Sequence, residues 1–247
     1  MNANGFFVTG TDTEVGKTIV TCLLYQLLHE RGFNVVPFKP IQTGTISQDE
    51  GHSLAPDVEM YKKSGVREAS SNLSAYLFEP PCSPHLASRL VGTTIDFPVI
   101  FEMMRNLSRT YNSILMEGAG GLSVPINEQK DMADLAKEAG FPLLIVARPN
   151  LGTINHTLQT IYYAKSKGLR IAGVIFSNVP AEKTFIEEEN IRYIQQFAPV
   201  LGSIPKVREI EEKIGSADLL ATLAPFIETE KLVNILRGEN NWLTQTN

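Results

Sequence analysis

A chain of 247 residues, 43% hydrophobic and 20% charged, is long enough to bury one full apolar core, and residues 1–247 are read as a single domain. Its net charge of -5 argues against any general affinity for nucleic acid or an anionic membrane surface, so a phosphate site has to be built locally. Cys22 and Cys82 are too far apart to suggest a metal spacing or disulfide framework, the four histidines are scattered, and neither a leader nor a long apolar run is present, which predicts a cytoplasmic protein.

The first predicted strand is Phe6-Phe7-Val8, and the first helical pattern covers residues 16–31. Between them runs Gly10-Thr11-Asp12-Thr13-Glu14-Val15-Gly16-Lys17-Thr18. A glycine-containing loop between strand and helix, closed by Gly-Lys-Thr, is a device for holding a polyphosphate. Main-chain N–H groups at the helix start face anionic oxygens, Lys17 adds a cation, and the Thr18 hydroxyl is available to a magnesium shell. A nucleoside triphosphate is the expected ligand. The strict pattern wants glycine where this chain has Thr11, with Gly10 one position early; a Cβ there is tolerated only if the backbone is not left-handed. Glu14 places a carboxylate inside the loop, which suggests a contact with something other than phosphate.

The second strand, 35–38, runs into Lys39-Pro40-Ile41-Gln42-Thr43-Gly44. Beside Lys17, Lys39 would give two cations over the site, enough to neutralise charge developing on a transferred phosphoryl group, and Thr43 supplies a hydroxyl nearby. Residues 45–96 break the alternation with Ser, Pro and Gly, and a long insertion between core strands reads as a cover near the active site. Within it, Asp57 follows Pro56, where capping a helix is the simplest role.

A helix over 97–110 precedes a strand at 114–116, followed by Glu117-Gly118-Ala119-Gly120-Gly121. A carboxylate at the tip of a buried strand is well placed to hold magnesium, and the glycines let a phosphate approach the backbone; a solvated turn is the plainer alternative. A helix over 131–139, a strand over 143–147 and a helix over 152–167 come next, the last opening on Gly152 with Asn155 and His156. That helix start either receives a carboxylate or is simply capped by its polar residues. A strand over 171–176, a helix over 184–196, a strand over 200–204 and a polar tail from 237 to 247 complete the chain.

Strands apolar on both sides and separated by helices predict an α/β fold, a mainly parallel sheet with helices on both faces. Ligands in such sheets collect beyond the carboxyl ends of the strands, so the loops at 10–18, 39–44 and 117–121 should open on one edge.

Together these loops resemble the dethiobiotin synthetase family, which has the P-loop NTPase fold. The resemblance spans residues 6–207 and rests on the phosphate loop, Lys39-Pro40 with Thr43-Gly44, Ser83-Pro84-His85, residues 117–121, and Gly152 with Ile154-Asn155-His156. It implies ATP-dependent ring closure of 7,8-diaminopelargonate with carbon dioxide, through a carbamate and its phosphoryl anhydride, to give dethiobiotin, ADP and phosphate. Lys17 would then hold the β and γ phosphates, and Lys39 would stabilise the carbamate and the transferring phosphoryl group. Thr18, Asp57 and Glu117 would surround Mg2+, while Thr13 and Thr43 would touch carbamate or diamine. Glu14 would lie near the ribose, with Val15, Gly16, Ile19, Gly118, Ala119 and Gly120 also on the nucleotide.

The family often reads adenine with an Asn-Asp pair, where this chain has Ser177-Asn178, and Pro205, Lys206 and Val207 would frame the base. The resemblance also implies a homodimer whose active site lies at the interface, the substrate carboxylate being received by Gly152 and Asn155 of the partner. The main rival is a switch ATPase of the partitioning or metal-insertion type, which usually carries an extra lysine where this loop has Thr11 and Asp12.

Overall fold

The computed structural model describes residues 4–47 and 53–239. Strand β1 (Asn4–Gly10) passes through the phosphate loop into helix α1 (Lys17–Glu30) and then β2 (Val35–Phe38). The segment read as an irregular cover is largely organised: it holds β3 (Ile41–Thr43), β4 (Ile46–Ser47), β5 (Ser53–Leu54), α2 (Pro56–Lys63), β6 (Tyr76–Phe78) and α3 (Pro84–Leu90). Proline opens both helices, where its missing N–H costs nothing. Alternation then resumes with α4 (Phe97–Leu107), β7 (Ser113–Gly121), α5 (Met132–Ala139), β8 (Leu143–Ala147), α6 (Thr153–Ser166), β9 (Ile171–Val179), α7 (Phe185–Ile194) and β10 (Val200–Pro205). Three helices follow: α8 (Ile210–Lys213), α9 (Ala217–Leu223) and α10 (Thr229–Arg237).

The main sheet has six strands in the order β10-β9-β8-β1-β7-β2, and every pairing in it is parallel. Parallel neighbours require helical crossovers, which cover both faces and exclude water from the strands. Phe6, Phe7 and Val8 are accordingly all fully buried. From Leu144 onward, alternate residues of β8 join different apolar clusters: Leu144 and Val146 belong to the larger one, which also holds residues of α1 and α10, whereas Ile145 and Ala147 belong with Ile161 of α6 and Ile194 of α7. This period-two division is the physical signature of a sheet sandwiched between helical layers.

Helix ends are set locally. Asp131 and Asp134 form a reciprocal capping box at the start of α5, and Gly140, with φ of 74°, ends it. Thr184 and Glu187 do the same at the start of α7. One boundary differs from expectation. β7 continues through Gly121, because Gly121 still pairs with Gly10 after a register shift, so Glu117 lies within a strand and not at its tip. The chain is helical up to Arg237, where α10 buries Leu232, Val233, Ile235 and Leu236; residues 240–247 of the expected tail lie outside the described residues. Among the described residues no helix is long and apolar enough to cross a membrane.

Candidate active site

The carboxyl ends of the parallel strands share one rim of the sheet, and there the phosphate loop links β1 to α1. Thr11 is not among the residues with positive φ, so its Cβ is tolerated, and the left-handed positions are Glu14 at 53° and Gly16 at 93°. Gly10 is needed for a different reason. A Cβ there would stand 2.7 Å from the Asp12 carbonyl, 2.8 Å from Val15 and 3.0 Å from the Lys17 ammonium. The loop folds back over Gly10, and Lys17 Nζ donates to the Asp12 carbonyl at 2.9 Å. Burial, reinforced by the nearby positive charge of Lys39, lowers the Lys17 pKa to about 8.

Behind this loop lies a charge network drawn from four elements. Lys39, just past β2, places Nζ 2.6 Å from Asp57 Oδ2, 2.8 Å from Glu117 Oε1 and 3.2 Å from the Gly118 carbonyl. Thr18 Oγ1 stands 2.8 Å from Asp57 Oδ1 and 3.0 Å from Glu117 Oε1. The Tyr61 hydroxyl donates to Glu117 Oε2 at 2.7 Å. Burial opposes the charge on Lys39, but Asp57 and Glu117 outweigh it and raise the lysine pKa above its ordinary value. Asp57 is displaced downward because Lys39 and Thr18 overcome the burial penalty. Burial, then Glu117, pushes the Tyr61 phenol well above its usual value, so it remains a donor. Asp57 is therefore not a cap: its carboxylate points into the network, and α2 has no side-chain cap.

Two carboxylates and a hydroxyl converging within hydrogen-bond distance are hard oxygen donors. They suit magnesium, which accepts one or two carboxylates and keeps most of its water. Asp57, Glu117 and Thr18 fit that ion.

The network opens into a cleft of about 1060 Å³, and most of the predicted site lines it: Thr13, Glu14, Gly16, Lys17, Thr18, Ile19, Lys39, Thr43, Asp57, Glu117, Ala119, Gly120 and Asn178. Gly118 contributes its carbonyl to Lys39. Val15 is buried beneath the loop, and Ser177 is buried with its hydroxyl donating to the Val15 carbonyl. That places Ser177 behind the loop. Lys206 and Asn178 border an adjoining hollow of about 360 Å³ with Arg148 and Glu187, while Pro205 ends β10 and Val207 packs partly against the core. Gly152 and Asn155 are elsewhere, in a shallow apolar groove with Leu151, Ile154, Leu158 and Tyr162.

Sequence reading missed Tyr61 and Glu211, which also lines the cleft from α8. Tyr61 had a signal, since four residues separate it from Asp57 and such pairs share a helix face. Nothing local marked Glu211.

A family profile described as an AAA domain matches residues 4–213. ATP-dependent dethiobiotin synthetase BioD of Anoxybacillus flavithermus is 44% identical over 204 residues, covering 81% of this chain and 91% of that protein. The protein of the same name from Bacillus cereus strain G9842 is 38% identical over 241 residues, 96% of this chain and 97% of its own. Among solved structures, a ParA family ATPase from Chlorobium tepidum superposes with a TM-score of 0.54 at 14% identity, covering 97% of this chain and all of that one. The Aquifex aeolicus MinD cell division protein gives 0.55 at 17% identity, covering 96% of this chain and 97% of its own. At those identities the structural likeness speaks for the fold alone.

Proposed function

This chain belongs to the dethiobiotin synthetase family, ATP-dependent cyclo-ligases of biotin synthesis, and from that premise we propose how its residues divide the work of ring closure. The observation that carries the proposal is the position of Lys39, a buried ammonium facing the same cleft as Lys17 and held by two carboxylates.

ATP lies with its phosphates along the loop at 10–18, in contact with main-chain N–H groups and Lys17. One amine of 7,8-diaminopelargonate loses a proton and bonds to carbon dioxide, giving a carbamate beside Lys39, Thr13 and Thr43. A carbamate oxygen attacks the γ-phosphorus and ADP leaves. The second amine then attacks the carbamoyl carbon and gives up a proton to solvent as phosphate departs, and the cyclic urea of dethiobiotin is complete. Each step leaves negative charge on oxygens near two fixed ammonium groups. Cations already in place stabilise that charge without reorganising at the moment of reaction. Magnesium held by Thr18, Asp57 and Glu117 would supply further charge neutralisation on the phosphate oxygens.

The groove around Leu151, 88% exposed, supports a second copy of the chain as its occupant. In such a dimer Gly152 and Asn155 at the positive end of α6 would receive the substrate carboxylate of the partner site. Phosphate release with ATP, magnesium and bicarbonate, measured with and without the diamine, tests the reading. Release that depends on the diamine supports it, and release that ignores the diamine overturns it in favour of a switch ATPase.

A further inference from the structure

We propose that Tyr61 is a positioning residue for ring closure, its hydroxyl fixing Glu117 in the one orientation that lets a single carboxylate oxygen serve both Lys39 and Thr18. The inference rests on the proposed function of the cleft. Glu117 is wholly buried, and its two oxygens have separate partners. Oε1 meets Lys39 at 2.8 Å and Thr18 at 3.0 Å, whereas Oε2 meets only Tyr61, at 2.7 Å, among the described residues.

A buried carboxylate oxygen without a donor is costly, and the nearest remedy would be Lys39 turning to engage both oxygens. That turn would draw the ammonium from Asp57 and from the Gly118 carbonyl, to which it is now bound. A tyrosine prevents this without adding charge, so the balance of two lysines (Lys17, Lys39) against two acids (Asp57, Glu117) is preserved. Tyr61 and Asp57 also lie four residues apart on α2. One helix therefore orients both carboxylates, one directly and one through a hydrogen bond.

A ring that merely filled space would be replaced by phenylalanine without effect. Tyr61→Phe keeps the ring and removes only the hydroxyl, so the fold, checked by thermal melting, is retained. Two measurements then decide the matter. The magnesium dependence of ADP binding, followed by calorimetry with no diamine present, is expected to shift about tenfold toward higher magnesium. The kcat for diamine-dependent phosphate release is expected to fall ten- to a hundredfold, with the KM for the diamine unchanged. In a double-mutant cycle with Glu117→Gln, the second substitution is expected to add little to the first. Unaltered magnesium dependence together with unaltered kcat overturns the proposal, as do fully additive losses in the cycle. Wild-type phosphate release that ignores the diamine would instead strike the functional reading, and the ADP titration would still test Tyr61.

Discussion

Lys39 Nζ and Glu117 Oε1, 78 residues apart in sequence, meet at 2.8 Å beneath the phosphate loop. The contact joins the residue just past β2 to the middle of the adjacent parallel strand β7 and places the second ammonium of the cleft on the same side as Lys17. Replacing Lys39 by Gln keeps a polar side chain but removes the charge. Product formation is expected to fall at least ~100-fold, while nucleotide affinity changes only modestly because the loop and Lys17 remain. Parallel measurement of dethiobiotin formation and ADP affinity checks this, and equal turnover in the variant would remove Lys39 from the mechanism.

Lys17 gives the cleft a pH dependence that Lys39 does not. Its pKa, lowered to about 8 by burial and by Lys39, means the free site loses a positive charge as pH rises through that value. Nucleotide affinity should therefore weaken above pH 8, and binding there should take up a proton, measurable by calorimetry in buffers of different ionisation enthalpy. The unfolded chain binds more protons than the folded one between about 8 and the ordinary 10.5, so this group makes stability rise with pH over that window. Its destabilising effect is fully present below 8. Lys17→Met is expected to abolish both trends, and a wild-type affinity that stays flat from pH 7 to 10 would contradict the assignment.

Gly10 tests the tight return of the phosphate loop. An added methyl would press on the Asp12 carbonyl, Val15 and the Lys17 ammonium, all at 3.0 Å or less. Overpacking of this kind costs about 1–3 kcal/mol, so Gly10→Ala should lower the melting temperature and weaken ADP binding together. A variant with normal melting and normal affinity would show that the loop opens freely at this point.

Ser177 lies behind the loop and holds the Val15 carbonyl. Its removal should loosen the loop, whichever base the nucleotide carries. Ser177→Ala is expected to cost about 1 kcal/mol in stability and to weaken ATP and GTP alike, leaving their ratio unchanged. A changed ratio in competition binding would mean that Ser177 reads the base.

Leu151 stands at the proposed contact between copies. Leu151→Asp should convert a dimer into a monomer in sedimentation, abolish ring closure and leave ADP binding intact, because the phosphate loop belongs to a single chain. Retained ring closure by a demonstrated monomer would show that the site is complete in one copy.

Much of this architecture was legible locally. The six core strands announce themselves as short apolar runs, since burial on both faces of a parallel sheet selects β-branched and aromatic residues. The phosphate loop is contiguous, so its chemistry is visible in nine adjacent residues, Gly10 to Thr18. The 45–96 segment is less legible: α2 has only eight residues and buries just Val58 and Tyr61, too few to mark a helical period. Pro56 before it gives Asp57 the look of a cap, and Tyr61 is marked only by its spacing from Asp57. Glu117 reads as the end of its strand because glycines follow it, yet pairing with β1 carries the strand on through them.

The alternation of strand and helix, the identity of the phosphate loop and the family to which its loops point can all be read along the chain, because they depend on neighbouring residues and main-chain geometry. Folding of the whole chain is what makes Glu117 divide its oxygens between Lys39 and Tyr61, turns Asp57 from its helix end toward Thr18, and sets Ser177 behind the loop. The partner of a buried charge is set by which strands lie side by side, and strand order is a property of the whole sheet that no local stretch of chain encodes.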